Sequence, residues 1–317
     1  MSAGFPGGPA ELVLTASVAR RYYLDGKSKV EIADEFSLSR FKVARLIQTA
    51  LTAGIVRIEI GYPGTIDVEL SGRLQTRYGL RHAVVVDTLE EDAVSLHRNL
   101  GEAAADLLTE IVTPDDVLGL AWARSVAAMT VALTRLAPVP IVQLTGALAR
   151  AETDDSSIDL VRAAARVSGG PAHFFHAPLV VPNAATARAM RKQPEIARAF
   201  GLFGSVTKAV VGVGRWAAGQ STIYDAAEER DRKLMRRLGT CAEISGVTIN
   251  AEGQPVHAGL SERMIGISAP ELRAIPEVIA IAYGVAKAPA ARAVLRSGLV
   301  SGLVTHTTLA TALLADD

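Results

Sequence analysis

The chain has 317 residues, with 33 Lys and Arg balancing 33 Asp and Glu, and it is 49% hydrophobic but only 5% aromatic. A formally neutral chain does not coat polyanions, so any nucleic-acid recognition must come from local placement of charge. The single cysteine, Cys241, excludes an internal disulfide and suits a reducing compartment, and no apolar run approaches the roughly 20 residues of a membrane span; a cytoplasmic protein without cofactors is expected.

The opening "MSAGFPGGPAEL" lacks a basic n-region and an apolar h-region and reads as a disordered tail. Val18, Tyr22, Val30, Ile32, Ala33 and Phe36 then recur at helical spacings that break at "DGKS" and "SLS". They predict three short helices over 12–24, 28–36 and 39–53, with Ser28 and Ser39 as N-caps. Ala33 allows the second and third helices to pack closely. Val43, Leu46, Ile47 and Leu51 form the inner stripe of the third helix, and Gly54 ends it. "IVRIEI" (55–60) alternates apolar and charged residues as a small half-exposed wing strand should.

The other face of the third helix presents Ser39, Arg40, Phe41, Lys42 and Arg45, which with Ser28 are the candidate DNA-binding residues, and no acid appears from Ser39 until Glu59. A basic helix face is usually just solvated. Here the missing acids and the outward-aimed N-cap favour the recognition helix of a helix-turn-helix, whose first residues reach base edges and phosphates. Residues 1–60 carry eight cations against six acids, a net of +2. So weak a charge implies binding as a dimer or higher oligomer.

"GYPGTID" (61–67) is turn-rich and reads as a linker, dividing a DNA-binding domain (1–60) from a larger domain (61–317). Beyond it, apolar runs at 82–87, 117–121, 139–146, 208–214, 278–284 and 300–306 alternate with helical patterns such as 95–112 and 288–299. Continuously apolar strands separated by helices mean an α/β domain with a mostly parallel sheet covered on both faces. "VTINAEGQPV" (247–256) reads as an inserted hairpin about a Glu-Gly turn.

Ligands of open α/β sheets bind beyond the C-terminal strand ends. Among those ends, "GLAWARSV" (119–126) opens a helix, where small residues from Gly119 onward permit close approach. Ser125 and the helix start suit an anion, and Arg124 adds a charged contact. The plainer alternatives are a packed Trp122, Ser125 as an N-cap and Arg124 as a surface cation. Gln143, in "QLTG" ending at Gly146, is costly to bury unpaired and must bond either a ligand or a neighbouring loop. "GVG" (212–214) allows close approach at Gly214. Glu243 and Lys287 are single charges near apolar strands, either gripping ligand hydroxyls or forming a mutual salt bridge.

Little here suggests an enzyme. The six histidines show no metal-ligand spacing, and "HFFH" (173–176), read as a strand, directs its ends to opposite faces. There is no nucleophile elbow or Walker loop, and "GVGRWAAG" is a poor dinucleotide fingerprint. No catalytic residue and no metal site is assigned.

In the order of these segments the chain resembles the SorC family of sugar-responsive transcriptional regulators. The likeness is carried by "VARRYYLDGKSKVEIADEFSLSRFKVARLIQTALTAGIVRIEI", then "LGLAWARSV", "IVQLTGAL", "AVVGVGRW" and "IAYGVAKAPAARAVLRSGLVSGLVTHTTLATALL". It implies a winged helix-turn-helix joined to an effector domain folded like ribose-5-phosphate isomerase and glucosamine-6-phosphate deaminase. It also implies a phosphorylated sugar or polyol effector and a homodimer or homotetramer on palindromic operator DNA. The chain departs from the family pattern where an effector would sit. Ala123 replaces a second glycine, Ala242–Glu243 a Gly-Asp pair, Val285 an acid, and Thr305–His306–Thr307 a segment carrying two acids. The competing reading is a sugar-phosphate isomerase or deaminase fused to a DNA module. That would need a positioned general base, and Glu243 is the one acid available.

Overall fold

In the computed structural model, which describes residues 8–56, 66–88, 93–148 and 157–315, Ser28 and Ser39 each start a helix. The chain divides into two compact units, Met1–Pro63 and Gly64–Asp317. The first holds α1 (Pro9–Tyr23), α2 (Lys29–Glu35) and α3 (Arg40–Thr52). Ser28 and Glu31 exchange side-chain and amide bonds in a capping box. Ser39 Oγ accepts from the Lys42 amide at 3.2 Å. Val18, Ile32, Ala33, Val43, Leu46 and Ile47 make the core, and Gly54 leaves α3 at φ 72°. The inner line of α3 runs 43, 46, 47, 50. Leu51, one residue further round, is therefore only half-buried, and Ala50 takes the inner place. Val30 is 52% exposed rather than packed. Most of the expected wing, residues 57–60, lies outside the described residues.

The second unit runs α4 (Val68–Tyr78), β1 (His82–Val86), α5 (Ala93–Ile111), β2 (Leu118–Leu120), α6 (Arg124–Ala132), β3 (Ile141–Gln143), α7 (Ser157–Ser168) and β4 (Ala172–His173). It continues through α8 (Ala184–Arg191), α9 (Pro194–Phe200), β5 (Lys208–Arg215), α10 (Thr222–Ala226), α11 (Glu229–Arg237), β6 (Thr240–Ile244) and β7 (Val247–Asn250). It closes with α12 (Ala269–Ala274), β8 (Glu277–Ile281), α13 (Ala288–Arg296), β9 (Gly302–His306) and α14 (Thr307–Leu314). Seven strands form a parallel sheet in the order β1-β9-β8-β5-β2-β3-β4. Successive side chains enter opposite cores: Ala209 and Val211 of β5 one, Val210 the other. This is the mixed α/β, mostly parallel architecture that the apolar runs predict.

Two local readings change. β5 outruns its parallel neighbours, and Val213–Arg215 pair antiparallel with β6, which itself pairs with β7. The hairpin thus turns at Ser245–Gly246, with φ 52° and 85°. The Glu252–Gly253 turn also exists, but its return arm is the single bridge Ile249–Pro255, since proline cannot donate to a ladder. The "HFFH" segment is strand only up to His173; the Phe175 amide donates to Gln143 Oε1 instead.

Candidate functional site

Beyond the C-terminal ends of β2, β3, β5 and β8 lies a cavity of about 440 Å³, at the position the sheet rule favours. One wall is the start of α6. Its N-cap, Ala123, has no side-chain acceptor, so the first-turn amides remain available to an anion beside buried Ser125. Gly212 lets β5 pack closely against this helix start, since a Cβ there would lie 2.4 Å from the Ala123 Cβ. Ser125 is therefore an early helix residue rather than the cap.

The opposite wall holds Glu243 and Lys287, both buried. Glu243 accepts from Ser221 Oγ at 2.8 Å. Its carboxyl fits because Gly214 has no side chain: a Cβ there would meet Glu243 Oε1 at 2.0 Å. Burial pushes the Glu243 carboxyl above the usual carboxylate range, against the Ser221 bond and the Lys287 charge. Lys287 Nζ donates to the Val213 carbonyl at 2.8 Å and stands 4.2 Å from the Tyr283 ring centroid. Its pKa is lowered to about 8, mainly by burial, with the Glu243 charge opposing the shift and the Arg124 charge adding to it. Lys287 thus remains mostly protonated at neutral pH. Two cations, Arg124 and Lys287, face one carboxyl that burial drives toward neutrality. The cavity favours an anion.

The loop carrying Lys287 is held from behind. The Gly284 amide donates to His306 Nε2 at 3.0 Å, which places the imidazole proton on Nδ1, and burial lowers the His306 pKa. His306 thus serves this loop as a neutral acceptor.

Seven expected residues meet in this cavity: Trp122, Arg124, Ser125, Gly146, Gly214, Glu243 and Lys287. Gly119 and Gln143 do not line it. A Cβ on Gly119 would strike Leu144 and Val206 side chains, so that glycine serves sheet packing. Gln143 is fully buried, donating to the Thr145 carbonyl and Ser157 Oγ and accepting from the Phe175 amide. It ties loops together, with both its amide nitrogen and its oxygen engaged, and stands outside the cavity lining. Sequence reasoning missed Ser221, Tyr283 and His97, whose Nε2 is buried without a hydrogen-bond partner among the described residues. Single polar residues outside a motif give no local signal. Among the described residues no cluster of His, Cys, Asp and Glu has the makings of a metal site, and no helix is long and apolar enough to cross a membrane.

In the first unit, Arg40, Phe41, Lys42 and Arg45 are all exposed on α3. The acids nearby serve other cations: Arg21 pairs with Asp25 and Glu35, and Lys27 with Glu35, at 2.7–2.8 Å. No ion pair engages Arg40, Lys42 or Arg45 among the described residues, so their charge is left facing solvent. Ser28 and Ser39 are capping residues.

Residues 63–315 match the family model described as "Putative sugar-binding domain". The chain is 30% identical over 315 residues to the transcriptional regulator LsrR of Klebsiella pneumoniae, covering 96% of this chain and 94% of that protein. It is 29% identical over 304 residues to the transcriptional regulator YjhU of Escherichia coli, covering 93% and 92%. The full-length sorbitol operon regulator SorC of Klebsiella pneumoniae has a similar fold, with TM-score 0.76 and 22% identity over 96% of this chain and 99% of that one.

Proposed function

Since the chain belongs to the SorC family of sugar-binding transcriptional regulators, we propose that a phosphorylated sugar or polyol in the Arg124–Lys287 cavity modulates its binding to operator DNA. The chain is a regulator, not a fused isomerase or deaminase, as its relatives are transcriptional regulators. The observation that carries the phosphorylated effector is the excess of cationic charge beside the uncapped start of α6. In this reading Ser125, Arg124 and the α6 amides hold the phosphate, while Glu243 and Lys287 bond hydroxyls at the other end. Trp122, Gly146 and Gly214 shape the space between.

In the first unit, α2 and α3 act as a winged helix-turn-helix, Arg40, Lys42 and Arg45 meeting DNA. The parallel sheet supports likeness to the ribose-5-phosphate isomerase and glucosamine-6-phosphate deaminase fold. A module of net +2 needs a homodimer or homotetramer to reach useful affinity. A regulator of this kind acts in the cytoplasm.

The test is a thermal-shift panel pairing phosphorylated sugars and polyols with their unphosphorylated counterparts at matched ionic strength. Stabilisation by phosphorylated members alone is expected. Equal stabilisation by both forms, or none by any, overturns the phosphate reading. Sedimentation of residues 61–317 tests assembly, and a monomer at all concentrations overturns it.

A further inference from the structure

Phe41 is 88% exposed, the most solvent-facing large apolar side chain among the described residues. Exposing a phenyl ring forfeits the burial that normally places it inside, so this position needs an account from function. Its partner must suit its neighbours. Arg40 and Lys42 flank it, Arg45 follows one turn later on the exposed side of α3, and none of the three is ion-paired within the described residues. A second copy of the same face would bring like charges together. A polyanion carrying apolar points is complementary, and duplex DNA is one: the 5-methyl of thymine projects into the major groove, where phenylalanine contacts it. Phe41 is the second residue of α3, in the first turn, which a recognition helix brings to base edges.

We infer that Phe41 reads a thymine 5-methyl group in each operator half-site, while Arg40, Lys42 and Arg45 neutralise phosphates around it. The inference rests on the operator-binding reading above. It makes the module selective for thymine over uracil at one position and assigns the apolar part of sequence choice to a single side chain.

The experiment begins by selecting bound duplexes from a random library with the full-length chain. Each thymine of the selected duplex is then replaced in turn by deoxyuridine, which removes only the methyl group. Affinities are measured for the wild type, Phe41→Ala and Phe41→Leu. Burying one methyl group corresponds to about a fourfold change in affinity. One symmetry-related pair of thymines should therefore weaken wild-type binding by at least that factor when demethylated, and Phe41→Ala should bind both duplexes equally. Phe41→Leu should keep part of the preference. Because Phe41 is exposed and outside the core, all three proteins should melt alike. If no duplex is enriched, the operator-binding reading fails, and this inference with it. If a duplex is enriched but no deoxyuridine substitution weakens the wild type, or if Phe41→Ala loses the same factor on both duplexes, this inference alone is overturned.

Discussion

Glu243 and Lys287 face the same cavity and each feels the other's charge, yet they are not an ion pair. Lys287 spends its hydrogen bond on the Val213 carbonyl and Glu243 receives one from Ser221, each at 2.8 Å. The two groups are held apart by separate anchors, which leaves polar capacity for a ligand between them. A direct salt bridge would have closed that space.

Gly214 is the condition for this arrangement. Gly214→Ala places a methyl against Glu243 Oε1, and overpacking of this kind costs about 1–3 kcal/mol. In a Glu243→Ala background that contact is gone and only the 3.0 Å approach to Ser221 Cβ remains, so the same substitution should cost much less. Urea unfolding of the two single variants and the double variant measures this coupling. Additive losses would show that Gly214 is needed for some reason other than the carboxylate.

Lys287 is predicted to weaken the fold it belongs to. Its pKa falls from 10.5 unfolded to about 8 folded, so between those values the unfolded state binds the extra proton and stability rises with pH. Below pH 8 the penalty is complete, of the order of 3 kcal/mol before its bond to Val213 is counted. Lys287→Met should therefore be at least as stable as the wild type at pH 7, with its relative advantage shrinking toward pH 10.5. It should also lose every thermal shift seen with phosphorylated sugars. A variant that melts lower at pH 7 and still responds would refute both halves.

His306 gives a second, acid-side dependence. Burial lowers its pKa below 6.5, so the unfolded state takes the proton first as pH falls, and stability declines from about pH 6.5 downward. Protonating Nε2 also removes the acceptor for the Gly284 amide. His306→Gln keeps an acceptor that does not titrate. It should bind effector like the wild type at pH 7.5 and flatten the decline between pH 6.5 and 5, read by thermal melts across that range.

On the DNA side, Arg45→Ala should weaken operator binding and reduce the salt slope by about one unit if the guanidinium contacts a phosphate. Effector stabilisation should be unchanged, because the substituted side chain lies in the other unit. Unaltered affinity and slope would remove Arg45 from the interface.

What the sequence revealed follows periodicity. The six apolar runs each contain a strand of the parallel sheet, because strands buried on both faces are apolar throughout. β6 escaped because "TCAEI" mixes polar with apolar residues, and β4 was foreseen only as the longer strand "HFFH", since two residues make no period. Gln143 shows the sharper limit. Its burial was legible, but the amide of Phe175 that satisfies it lies 32 residues away, and no local pattern reports such a partner. Ser221 and Tyr283 join the site for the same reason: the sheet brings them there.

The cavity wall runs from His97 to Lys287 in the chain and takes residues from eight separate segments. No stretch short of that span contains a usable half of the site. Cleavage that releases any part of the second unit should therefore abolish recognition altogether instead of leaving a weakened fragment. During synthesis, responsiveness can appear only after α13 and β9 have emerged and the sheet has closed around the late-arriving lysine. An incomplete chain with a finished α3 is thus a regulator deaf to its signal, and the order of the two units along the polypeptide makes that transient state unavoidable.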